Sequence, residues 1–225
     1  VTINDGVLTF SGDDGDNFFE IQEATITGST LLITWKMDDV VTTNSYDDVT
    51  SIVIDGKAGS DSVIFVGETF NFGDVSLDVL SETISVESTV KLTGLVNVSF
   101  TAFDSDMAQV TTAGNVVDRI AEITIAGDIT AQGDLIISAD VVRNIHIDLL
   151  TDPGLILSLG ASDAYKQSRA QIEIMGDLSA ESIDATAQTS GFVTVTGSAL
   201  VDIHIADNAL VLVHESVDES SPGDS

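Results

Sequence analysis

Short runs of Val, Ile, Leu and Thr alternate with polar residues along most of the chain, as in Ile123-Thr124-Ile125, Ile172-Glu173-Ile174 and Val193-Thr194-Val195. A period of two places alternate side chains on opposite faces, so each run predicts a strand with one apolar face. Gly or Asp usually follows, which marks a corner. Helical periodicity is nearly absent. Only residues 161–170, carrying Tyr165, Lys166, Gln167 and Arg169, read as a helical or irregular insertion.

The strands recur. An apolar alternation runs into Gly-Asp at Phe70-Asn71-Phe72-Gly73-Asp74, at Ile123-Thr124-Ile125-Ala126-Gly127-Asp128 and at Ile172-Glu173-Ile174-Met175-Gly176-Asp177, with glycines 54 and 49 residues apart (127 − 73 and 176 − 127). Val90-Lys91-Leu92-Thr93-Gly94 and Val193-Thr194-Val195-Thr196-Gly197 each follow 21 residues after one of these glycines (94 − 73 and 197 − 176). A repeat of about 50 residues in two unequal steps is what two turns of a parallel β-helix produce. The expected fold is therefore all-β, a parallel β-solenoid (β-helix) with a small N-terminal β meander or cap, and Gly73, Gly127 and Gly176 are expected at one corner. A β-sandwich with Gly-rich hairpins is the rival architecture. The apolar members of Ile123/Ile125, Ile145/Ile147, Ile172/Ile174, Val193/Val195 and Ile203/Ile205 should point inward, with Thr124, His146, Glu173, Thr194 and His204 outward.

The amino-terminal stretch differs. Asn4-Asp5-Gly6 between Val1-Thr2-Ile3 and Val7-Leu8-Thr9-Phe10 signals a hairpin, and Thr27-Gly28-Ser29 repeats the theme ahead of Leu31-Leu32-Ile33-Thr34-Trp35. The expected organisation is a meander or cap over residues 1–48, the solenoid over 49–214 and an acidic tail or linker over 215–225.

Composition changes what such a fold can do. The chain has 225 residues, 43% of them hydrophobic, enough to bury a core, and 37 acidic against 7 basic residues give a net charge of −30. A phosphate backbone needs a basic stripe, so nucleic acid is excluded as a partner, and anionic membranes are disfavoured on the same ground. Cysteine is absent, which removes disulfides, thiolate metal sites and cysteine nucleophiles. No basic-apolar leader opens at Val1 and no apolar run approaches the roughly 20 residues of a membrane span, so the segment is expected to be mature or excised from something longer, extracellular or on the cell surface.

Two acidic loops carry the only motif-like chemistry. Gly12-Asp13-Asp14-Gly15-Asp16-Asn17-Phe18-Phe19-Glu20 and Gly56-Lys57-Ala58-Gly59-Ser60-Asp61-Ser62-Val63-Ile64 approximate the nonapeptide G-G-x-G-x-D-x-U-x. In these residues the chain resembles the RTX-type calcium-binding repeats, found in degenerate form within large repetitive β-helical surface and adhesin proteins of bacteria. Asp13 and Lys57 replace the second glycine, Asn17 replaces the motif aspartate, and the copies lie 44 residues apart (56 − 12). The resemblance implies calcium between adjacent copies, with Asp13, Asp14, Asp16, Asn17, Asp55 and Asp61 as candidate ligands, since hard oxygens suit that ion. An ordinary solvated turn has the same composition.

Other residues offer less. Arg119, Arg143 and Arg169 are spaced by 24 and 26 residues (143 − 119 and 169 − 143), close to one coil. An arginine beside calcium could serve a β-helix polysaccharide lyase; relief of like-charge repulsion on an acidic face is the simpler role. Zinc at His146 or His204 would need further ligands, and His214 is not in a ligand-spaced cluster. No G-x-S-x-G turn or phosphate-binding glycine pattern occurs. The expected function is non-enzymatic: a structural or adhesive module of an exported cell-surface, matrix or filament-forming protein, calcium-stabilised, with self-association or neighbouring surface chains as partners. The alternative is a β-helix polysaccharide lyase or hydrolase, or a glycan-binding module.

Overall fold

The computed structural model describes residues 1–37, 39–109, 119–148, 168–196 and 210–214. Its described residues form strands and no helix, and the strands belong to one mixed sheet that is not closed. The chain divides into two compact units, one of Val1–Asp104, Ile120–Asp140 and Arg169–Gln188, the other of Ser105–Arg119, Val141–Ser168 and Thr189–Ser225.

In the first unit, β1 (Thr2–Asn4) and β2 (Val7–Ser11) form the hairpin that Asp5-Gly6 predicts. Asn4 pairs with Val7 across a two-residue turn with φ of 47° and 78°, both left-handed as a type I′ turn requires. Next, β3 (Phe18–Thr27), β4 (Thr30–Met37) and β5 (Val40–Asp47) run as an antiparallel meander, Thr27 pairing Thr30 and Met37 pairing Val40.

Parallel pairing starts ahead of residue 49. β2 lies beside β6 (Ser51–Asp55), β6 beside the second part of β8 (Thr69–Ser81), and that part beside the second part of β10 (Lys91–Gln109). The first part of β3 lies beside β7 (Ser62–Phe65), β7 beside β9 (Thr83–Val86), and β9 beside β11 (Arg119–Ile125). The first parts of β8 and β10 continue into β12 (Asp128–Ala131) and β15 (Leu178–Ser179). The remaining strands are β13 (Asp134–Asp148), β14 (Ser168–Ile174), β16 (Ser182–Thr196) and β17 (Leu210–His214). In the second unit, β16 and β17 pair in parallel from Ser190↔Leu210 to Thr194↔His214.

Register turns alternation into columns. Leu8, Ile52, Leu77 and Val98 follow one another through the pairings, as do Phe10, Ile54, Val79 and Phe100, then Phe19, Val63, Ile84 and Ile123, and Ile21, Phe65, Val86 and Ile125. All are buried. A slip of one residue would turn every one of them to the opposite face, so burial at roughly 1.5–3 kcal/mol per large apolar side chain fixes the register. Thr124, between two buried isoleucines, is half-buried and faces outward, as expected.

Three expectations need correction or fall elsewhere. Gly73, Gly127 and Gly176 do not share a corner. Gly73 (φ 66°) bends β8 internally beside Gly94, whose added Cβ would lie 2.6 Å from the Gly73 nitrogen. Gly127 and Gly176 instead stack on each other, because an added Cβ on Gly176 would lie 1.9 Å from the Gly127 carbonyl oxygen. Ile172 is only half-buried and Ile174 is 41% exposed, rather than both being core. Among the described residues β14 ends the succession β9, β11, β14, so its side chains have a stacked neighbour on one side alone. The side chains of Ile145, His146, Ile147, Val193, Thr194 and Val195, those of the three arginines, and residues 161–167, 203–205 and 215–225 lie outside what the structure describes.

Candidate functional site

The two acidic loops, 44 residues apart in sequence, are neighbours in space. The Gly12 N–H donates to the Asp55 carbonyl at 2.9 Å, and the Ser60 N–H donates to Asp16 Oδ1 at 2.9 Å. Their backbones touch so closely that an added Cβ on Gly59 would lie 2.5 Å from the Gly15 carbonyl oxygen. Each loop enters a strand of the same succession, residues 12–17 leading into β3 and 56–61 into β7. Parallel pairing of those strands therefore brings the loops together.

The residue just before each strand forms a polar column. Asp61 is 1% exposed, and its Oδ1 accepts the Asn17 N–H at 2.7 Å and the Asn17 Nδ2 at 3.0 Å. The Asp61 N–H donates to Glu82 Oε2 at 2.8 Å. The carbonyls of Asn17, Asp61 and Glu82 accept from Ser62, Thr83 and Glu122, continuing the ladder. Asp104, also buried, accepts the Ile120 N–H at 3.2 Å through Oδ2. Each side chain thus satisfies a backbone donor that the corner would otherwise leave buried and unpaired.

The column is rich in like charge. Burial raises the Glu82 carboxyl to about 7, opposed by hydrogen bonds from backbone N–H groups and reinforced by the neighbouring charges of Asp61 and Asp104. Asp61 Oδ2 and Ser81 Oγ are buried without a hydrogen-bond partner among the described residues.

The six candidate ligands divide. Asn17 and Asp61 meet directly, and Asp16 bridges the loops. Asp13 Oδ1 accepts the Gly15 N–H at 2.8 Å within its own loop, Asp55 pairs with Lys57 through both backbone and side chain, and Asp14 is exposed. Among the described residues no three His, Cys, Asp or Glu side chains gather as metal ligands. Four of these carboxylates, Asp13, Asp16, Asp55 and Asp61, each accept a backbone N–H through one oxygen.

Sequence reasoning missed Glu82 and Asp104. A signal existed for Glu82: Asn17, Asp61 and Glu82 each stand immediately before a strand with buried second and fourth residues, Phe19/Ile21, Val63/Phe65 and Ile84/Val86. Trp35 is 5% exposed and packs edge-on against Phe10 at 5.1 Å, with Tyr46 at 6.5 Å, so its indole face belongs to the core. Comparison with known protein families, curated proteins and solved structures finds no match to this chain.

Proposed function

We propose that this chain is a non-enzymatic structural or adhesive module of an exported surface, matrix or filament-forming protein, built as a parallel β-solenoid. The observation that carries this reading is the succession of in-register parallel pairs at short sequence steps: 25 residues from Ser51 to Ser76 and 21 from Leu77 to Val98 (76 − 51 and 98 − 77). Stacked coils give such steps, and a stacked array is a rigid spacer whose work is done by its outer face. The column at residues 17, 61 and 82, buried at Asn17 and Asp61 and half-buried at Glu82, serves this reading as a corner latch. Calcium, in this proposal, acts on the exposed carboxylates of a chain with net charge −30 rather than within the latch. A sugar-cleaving alternative draws no support from Trp35, which is buried.

Three experiments test the proposal. Cysteine pairs introduced at Thr9 and Val53, or at Asp78 and Ser99, should oxidise to intramolecular disulfides, because each pair is in register on adjacent parallel strands and the chain has no competing cysteine. Failure of both pairs to close would remove the solenoid. Electron microscopy and light scattering, with calcium chloride and with sodium chloride at equal ionic strength, should show rods or ordered assemblies. Release of oligosaccharides from a panel of polysaccharides would overturn the non-enzymatic reading.

A further inference from the structure

The meander leaves one strand edge open. β4 lies between β3 and β5, and β5 has no second partner among the described residues. Met37 and Val40 close a two-residue turn, which makes them a hydrogen-bonded pair, and the Asp48 N–H donating to the Ser29 carbonyl at 2.9 Å fits the same phase. Hydrogen bonding alternates from there. Val41, Thr43, Ser45 and Asp47 therefore turn their N–H and C=O groups away from β4, toward solvent. Val40 and Val41 are 64% and 56% exposed, and Thr43, Asn44 and Ser45 are exposed too.

This edge lacks the usual protections. Natural edges carry lysine, proline or a bulge, whereas Val40 to Tyr46 is an uncharged run of β-branched, amide and aromatic residues within a chain of net charge −30. The charge sits at its two ends, on exposed Asp39, which Lys36 of β4 pairs at 3.0 Å, and on exposed Asp47 and Asp48. That placement selects the occupant. In the two-fold register that matches Thr43 with Thr43, Asp39 of one copy stands opposite Asp47 of the other at both ends. Like charges directly opposite are destabilising.

We infer that β5 is a docking edge for an extended segment of another protein, with an uncharged, β-prone centre and Lys or Arg at both ends, added as a further antiparallel strand. Main-chain hydrogen bonds supply the attraction, and the terminal acids choose a basic partner over a second copy. The inference stands on the hairpin alone and is independent of the solenoid reading.

The test is fluorescence anisotropy with the full chain and a labelled alternating Val/Thr peptide carrying lysines at both ends. This peptide should bind at least about tenfold more tightly than one with glutamates at its ends, and than one with lysines around a Gly/Ser centre. Thr43→Pro removes an outward N–H that β4 does not use and should abolish binding, with the circular dichroism spectrum retained. Asp39→Asn with Asp47→Asn, which leaves the backbone ladder intact, should weaken the lysine peptide by about threefold to tenfold. Equal binding of the Gly/Ser peptide would show attraction to net charge alone and overturn the inference. So would undiminished binding by folded Thr43→Pro, or dimerisation of the free chain through β5.

Discussion

Replacing Asp61 separates a backbone latch from a metal ligand. In the latch, Asp61 Oδ1 accepts two hydrogen bonds from Asn17, at 2.7 and 3.0 Å, with both residues buried. Bonds to a charged acceptor contribute about 1.5–3 kcal/mol each, and truncation also strands a buried N–H. Removing one member of the column returns part of that, because Asp61 and Glu82 repel. Asp61→Ala should therefore cost about 2–4 kcal/mol net. At roughly 2–4 °C per kcal/mol for a chain of this size, the melting temperature falls by about 4–16 °C. Asp61→Asn retains a carbonyl oxygen for the Asn17 N–H and removes the repulsion, so it should stay within about 1 kcal/mol of the parent. The measurement is thermal unfolding followed by far-ultraviolet circular dichroism at neutral pH, in chelator and then in calcium. If both are harmless in chelator and harmful only in calcium, the carboxylate acts as a metal ligand and the latch is wrong; if Asn is as damaging as Ala in chelator, the acceptor for Asn17 is not what Asp61 contributes and the latch is wrong as well.

Further outcomes follow from the same geometry. Ile125→Ala should cost about 2–5 kcal/mol and Phe100→Ala about 3–5, measured by urea denaturation, whereas the outward Thr124→Ala should be mild. Gly127→Ala should destabilise because its Cβ would lie 2.4 Å from the carbonyl oxygens of both Glu87 and Val90; Gly28→Ala, with nothing within 4 Å, meets no such clash and suffers only from its φ of 65°. Glu82 binds a proton more readily folded, near pH 7, than unfolded, near 4.5. Its contribution to stability therefore declines as pH rises through that window. Glu82→Gln keeps an acceptor for the Asp61 N–H and should flatten the decline between pH 5 and 8, read as the difference in melting temperature between variant and parent. A parent and variant with parallel pH profiles would show that Glu82 titrates normally.

Strand alternation made much of this legible. Ile123 and Ile125 are core with Thr124 outward, and Asp5-Gly6 makes its hairpin, because period and turn chemistry are local properties. Stacking order is not local. Gly73-Asp74 and Gly127-Asp128 look alike in sequence, yet the first bends a continuous strand and the second closes against the carbonyls of residues 87 and 90. Ile174 carries the same local pattern as Ile125, and what differs is that, among the described residues, a further strand follows β11 in the succession and none follows β14. The column at residues 17, 61 and 82 was hidden for a related reason: its donors are backbone N–H groups 44 and 21 residues away, which no side-chain motif records.

The spacing of the parallel pairs also bears on how the chain reaches its fold. Val7 meets Ser51 across 44 residues (51 − 7), while the next steps in the same succession are 25 and 21. Closing a loop twice as long costs about 0.6 kcal/mol more, so β6, β8 and β10 should associate before β2 joins them. The antiparallel pairing of β4 with β3 and β5 changes that order, since a hairpin forms in microseconds from contacts a few residues apart. Once folded, it draws Thr27 toward Asp48 and leaves a much shorter effective loop to close. The inserted meander is then a kinetic aid, and deleting residues 28–47 in favour of a short turn should leave the folding rate nearly unchanged, whereas replacing them with a flexible linker of equal length should slow it.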